Sequence, residues 1–124
     1  MRIRLYYSSP EFVHRQTPGE SGVWGAARFE STGGGTFDGA VVYERLAFPQ
    51  TIRCDPNRLI FIGGEPHSVR SYDPRFLAQF AAVIAPQIEI VHPRLIVGQP
   101  AIPWWVGVAL THQPDKSSAG YTLN

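Results

Sequence analysis

The sequence predicts an α/β fold built on a mostly parallel sheet. Short, wholly apolar runs recur along the chain, each bounded by Gly, Pro or charged residues. Runs of that length and purity suit strands covered on both faces. The segments between them are too long for hairpins, which favours crossover connections and parallel pairing. With 124 residues and 44% hydrophobic content, the chain has enough apolar volume for the core of one domain.

The elements follow in order. Arg2 to Ser8 is rich in β-formers and reads as a strand, stopped by Pro10. Thr17 to Glu30 reads as a Gly-rich loop with apolar inserts, with a turn of helix expected over Ala26–Glu30. Gly33-Gly34-Gly35 is a break and surface turn. Ala40 to Glu44 is the second strand and Leu59 to Ile62 the third, ending at Gly63-Gly64. Asp73-Pro74 opens a short helix, Asp as N-cap and Pro at the first helical position, with Phe76, Leu77 and Phe80 on one face. Ala82 to Ile84 is a fourth strand, Ile88-Glu89-Ile90 a short further one, and Leu95 to Val97 the last. The expected organisation is one domain over 1–111 and a polar tail or linker over 112–124.

Composition narrows the function. Eleven basic against ten acidic residues leave a net charge of +1, so the electrostatic footprint of a nucleic-acid binder is missing and no nucleic-acid partner is expected. One cysteine excludes an internal disulfide framework and a cysteine-built zinc site. Cys54 itself reads as a passive thiol. His14, His67, His92 and His112 are too scattered for a metal spacing, and neither metal nor cofactor is expected. No signal peptide or spanning segment is visible, which makes the cytoplasm the default and leaves room for a peripheral membrane contact.

Ligands of open α/β sheets bind beyond the carboxyl ends of the strands. Three such ends carry polar residues: Ser8-Ser9-Pro10-Glu11, Glu44-Arg45, and Gly63-Gly64-Glu65-Pro66-His67-Ser68. In the third, two glycines permit a sharp turn and leave space beside it, and Glu65 is presented at a strand end. A carboxylate there is a candidate general base for a substrate hydroxyl, provided it lies within hydrogen-bond reach. Read from spacing alone, the favoured reading is a surface Glu in a Gly-Pro turn. His67 stands two residues further on. Trp24 and the Trp104-Trp105 pair are candidates for stacking on sugar faces, with packing under their loops as the plainer alternative.

An ordered set of segments resembles a known family. They are Ser8-Ser9-Pro10-Glu11-Phe12, Thr17-Pro18-Gly19 with Gly22 and Trp24-Gly25, Arg28-Phe29, Leu59 to Pro66, Phe76 to Phe80, and Pro103-Trp104-Trp105-Val106-Gly107. From about Met1 to Gly107 this order resembles the amino-terminal half of glycosyltransferase family ten, the fucosyltransferase-like group. The resemblance implies a Rossmann-like domain, the acceptor side of a two-domain GT-B enzyme. It implies inverting transfer from a nucleotide-sugar, usually GDP-fucose, to a glycan hydroxyl, without a required metal. It places the base at Glu65, and acceptor contacts are expected at Ser9, Glu11, Trp24, His67 and Trp104. The donor-binding domain has no counterpart in these residues, so this chain alone is expected to be inactive. The reading from another class is a non-catalytic carbohydrate-binding or structural domain.

Overall fold

The structure is a computed structural model that describes residues 1–7, 14 and 17–98. Its centre is a seven-stranded sheet. The strands are β1 (Arg2–Tyr6), β2 (Val23–Trp24), β3 (Ala27–Glu30), β4 (Gly39–Tyr43), β5 (Leu59–Ile62), β6 (Ala82–Ala85) and β7 (Leu95–Val97). They lie in the order β2-β3-β1-β4-β5-β6-β7. Only the β2–β3 pair is antiparallel; the other five pairings are parallel. The expectation of a mostly parallel α/β sheet therefore holds, and the layout is compatible with a Rossmann-like fold.

Three expectations about individual elements fail. Ala26–Glu30 is not helical, and Thr17–Glu30 is not wholly loop. Val23 pairs with Arg28 and Trp24 with Ala27 in a tight hairpin, and β3 then runs alongside β1. The terminal ammonium of Met1 donates to Ala26 O at 2.7 Å, fastening the start of the chain to this hairpin. Long-range pairing with β1 overrides a local pattern too short to decide. Ile88-Glu89-Ile90 forms a turn rather than a strand. Its Ile88 is exposed and the neighbouring edge is taken by Leu95–Val97.

The strand pairing explains the core. Val42 pairs with Phe61, and Phe61 with Val83, so these side chains share one face of the sheet. A one-turn helix, α1 (Pro74–Leu77), covers that face with Leu77 and the following Phe80. Asp73 caps it as expected, its carboxylate accepting from Arg75 N at 2.8 Å. Phe61 is the hub: fully buried, its ring meets Tyr72, Phe76 and Phe80 at centroid distances of 5.0, 5.7 and 5.3 Å. The opposite face is apolar but less enclosed. Ile3, Val41, Ile60, Ile84 and Ile96 line a groove of about 240 Å³ there, with Ile96 49% exposed.

The order also places a topological switch. From β1 the chain goes to β3 on one side, then crosses to β4 on the other. In open α/β sheets the crevice at the carboxyl ends beside such a reversal is where ligands bind. Gly33 and Gly35, both at positive φ (96° and 97°), let residues 31–38 make that short crossing. No helix among the described residues is long and apolar enough to cross a membrane.

Candidate functional site at the carboxyl edge

The ends of β4 and β5 meet at one carboxylate. Glu44 follows Tyr43 directly, and its backbone sits at φ 64°, a left-handed conformation uncommon for a residue with a side chain. That geometry turns its side chain across to the neighbouring strand end. Glu44 Oε1 accepts hydrogen bonds from the backbone N–H groups of Gly64 and Glu65, the latter at 3.1 Å. Its Oε2 accepts from the Tyr72 hydroxyl at 2.8 Å and lies 3.5 Å from Arg70 Nε. A largely buried carboxylate is tolerable only with donors of this number and charge.

The turn after β5 is held from its other side too. Gln87, only 3% exposed, donates through Nε2 to the carbonyls of Glu65 and Arg70, both at 2.8 Å. Glu65 therefore has its N–H fixed by Glu44 and its C=O fixed by Gln87. Its carboxylate accepts no hydrogen bond among the described residues, and the residue is half-buried.

The two glycines before Glu65 serve closeness rather than an unusual turn. Neither has positive φ. A Cβ on Gly63 would come within 2.9 Å of the Tyr72 hydroxyl, and one on Gly64 would collide with that of Tyr43. The space expected beside this turn is filled by the two phenols.

Both phenols are held in their neutral form. Burial, the neighbouring Tyr7, and the charges of Glu44 and Glu65 push Tyr43 up to about 12. Burial first, then the hydrogen bond it donates to Glu44, pushes Tyr72 higher still. Unfolded phenols ionise near pH ~10. The stability carried by these raised groups is complete below that pH and is lost as pH rises through the folded values. Melting temperature is thus expected to fall between about pH 10 and 12, and less steeply in Tyr72→Phe. A melting temperature unchanged over that range would contradict the assignment.

The other expected residues are placed as follows. His67 is exposed on the same turn as Glu65 and lines a small cleft of about 110 Å³ with Tyr72 and Gln87. Trp24 is 41% exposed on the antiparallel edge strand, paired with Ala27 at the amino end of the sheet. Four strand spacings, about 19 Å at ~4.8 Å each, and the length of the sheet separate it from Glu65. The structure does not bring Trp24 into this site. Ser9, Glu11 and Trp104 lie outside the described residues. Beside Glu44 and Tyr72, a cleft of about 520 Å³ opens between the 44–50 loop and residues 71–79, with Phe48 and Phe76 on its walls. Among the described residues no three His, Cys, Asp or Glu are grouped to hold a metal ion.

Arg70, Tyr72 and Gln87 were not visible as site residues in the sequence, and Glu44 was visible only as a strand end. Their partners lie 17 to 28 positions away, and no local motif links them. No family model, curated protein or solved structure matches the chain.

Proposed function

We propose that this chain is the acceptor-side domain of a fucosyltransferase-like glycosyltransferase, GT-B in plan, with Glu65 as its base. One observation carries the reading: of two carboxylates at the carboxyl edge, Glu44 is tied by three hydrogen-bond donors and an ion pair with Arg70, while Glu65 accepts no hydrogen bond among the described residues and sits on a turn fixed through its own backbone. A base needs a free oxygen and a fixed position. The division of labour gives Glu44 the holding and Glu65 the chemistry.

In the proposed reaction Glu65 takes the proton of an acceptor hydroxyl. The oxygen forms a bond to the sugar's anomeric carbon as the bond from that carbon to the diphosphate breaks, and GDP departs with the electron pair. The cleft walled by Phe48 and Phe76 offers aromatic faces to the acceptor ring. Donor positioning and neutralisation of the leaving diphosphate fall to a second domain, and both are large contributions. These 124 residues alone are therefore expected to turn over no GDP-fucose.

The test mixes the purified chain with a separately expressed family donor domain and follows GDP release from GDP-fucose over a panel of acceptor glycans. Acceptor-dependent release, reduced about 100-fold or more by Glu65→Gln, is the expected result. Release unaffected by that substitution would remove Glu65 from the role of base. A folded chain that docks with the donor domain and supports no release would favour a non-catalytic binding domain.

A further inference from the structure

We propose that the crevice at the topological switch is a binding site for a small oxyanion-bearing molecule, phosphorylated or carboxylated, of monosaccharide to nucleotide size. The crevice holds about 520 Å³ and lies between the end of β1 and the loop that leaves β4. That volume is within the usual range for small-ligand sites, and its place matches the general location of ligands in open α/β sheets. The proposal goes beyond the transfer reaction, because such binding is a property of this chain without any donor domain.

Charge decides the ligand class. Arg4 and Arg45 line the crevice, and among the described residues no carboxylate does. Neither arginine is ion-paired to a carboxylate among the described residues. Glu30, the acidic side chain whose charge Arg4 feels, is already engaged by Arg2 through two hydrogen bonds at 3.0 and 2.8 Å. Arg4 is also held in place. Its guanidinium lies over the rings of Tyr6 and Phe37, 5.5 Å from each centroid, and Nη1 donates to Gly33 O at 3.1 Å. A fixed guanidinium loses little freedom on binding, and its planar fork suits phosphate and carboxylate. Ser31 and Gln50 add neutral hydrogen-bonding groups, and Tyr6 adds an aromatic wall.

The test is amide-shift mapping of the 124-residue chain by NMR, titrated at low salt with glucose 6-phosphate, glucuronate and pyrophosphate, with glucose as the uncharged control. The expected result is perturbation confined to residues 4–7, 31 and 45–50. At least one anionic probe should bind about tenfold or more tightly than glucose, with affinity falling as salt rises. The phosphate and carboxylate arms then identify which oxyanion is preferred. Arg45→Gln, on an exposed loop, should weaken the anionic probe about tenfold and leave the melting temperature unchanged. Arg4→Gln should do the same, with some loss of stability because Arg4 packs on two rings. Anionic probes no tighter than glucose, shifts located elsewhere, or binding indifferent to Arg45→Gln would each overturn the proposal. Failure here with successful GDP release would leave the transfer reading standing, and the reverse pattern would leave the binding site standing.

Discussion

Replacing Phe61 with alanine is expected to cost about 3–5 kcal/mol of folding stability, read from urea or guanidinium unfolding. The ring is fully buried and meets three other aromatic rings edge-on or tilted. Those rings come from α1 and its flanks, and Phe61 is their common contact on the sheet. Deleting it opens a cavity between sheet and helix that one helical turn is too short to close. Domains of this size have only about 5–15 kcal/mol in total, so a large part of the margin goes. Phe61→Leu fills most of the volume and should cost about 1–2 kcal/mol. A Phe61→Ala midpoint close to that of the native chain would mean α1 does not pack as described.

Glu44→Ala is expected to cost about 3 kcal/mol and to loosen the turn that presents Glu65. The substitution strands the Gly64 and Glu65 N–H groups and the Tyr72 hydroxyl, and leaves Arg70 without its counter-charge. Glu44→Gln retains an acceptor for the two N–H groups and should lose about half as much. Glu44→Gly removes the same contacts as alanine but relieves the left-handed backbone, a strain of about 1 kcal/mol. The expected order of stability is native, then Gln, then Gly, then Ala. Amide hydrogen exchange at Gly64 and Glu65 should quicken in the Ala variant without a matching change at Val42 or Val83. Uniform quickening at all four would mean the variant acts through global unfolding alone.

The strands with the clearest apolar runs were legible to within a residue or two. Leu59–Ile62 and Leu95–Val97 have the expected bounds, and the helix opens where Asp73 caps it and Pro74 stiffens it. What was not legible depends on partners distant in sequence. Ala27–Glu30 has too few residues for a period to show, and becomes a strand because Arg2–Arg4 offers it a ladder. Gly63-Gly64 looked like turn residues, and only the approach of Tyr43 and Tyr72 shows why side chains are excluded there. The candidate site was half legible for the same reason. Glu65 stands in an eye-catching local string. The groups that fix it are single residues in unremarkable surroundings, and chemistry alone does not mark a lone Glu, Tyr or Gln as a partner.

The interior place of β1 dictates an order of assembly during synthesis. β1 is flanked in the finished sheet by β3 and β4, both later in the chain, so neither flank exists when it leaves the ribosome. It acquires one neighbour when Glu30 has emerged and the second only after Tyr43. The Phe61 cluster cannot close until Phe80 is out, some fifty residues behind Glu30. Parallel ladders of this kind gain their contacts only after long loops have closed, which makes their formation slow. The nascent amino-terminal hairpin, tethered through Met1 to Ala26, must therefore wait as a partial sheet while the remainder is made. It is during that wait, more than in the finished molecule, that this protein is most open to pairing with the wrong strand.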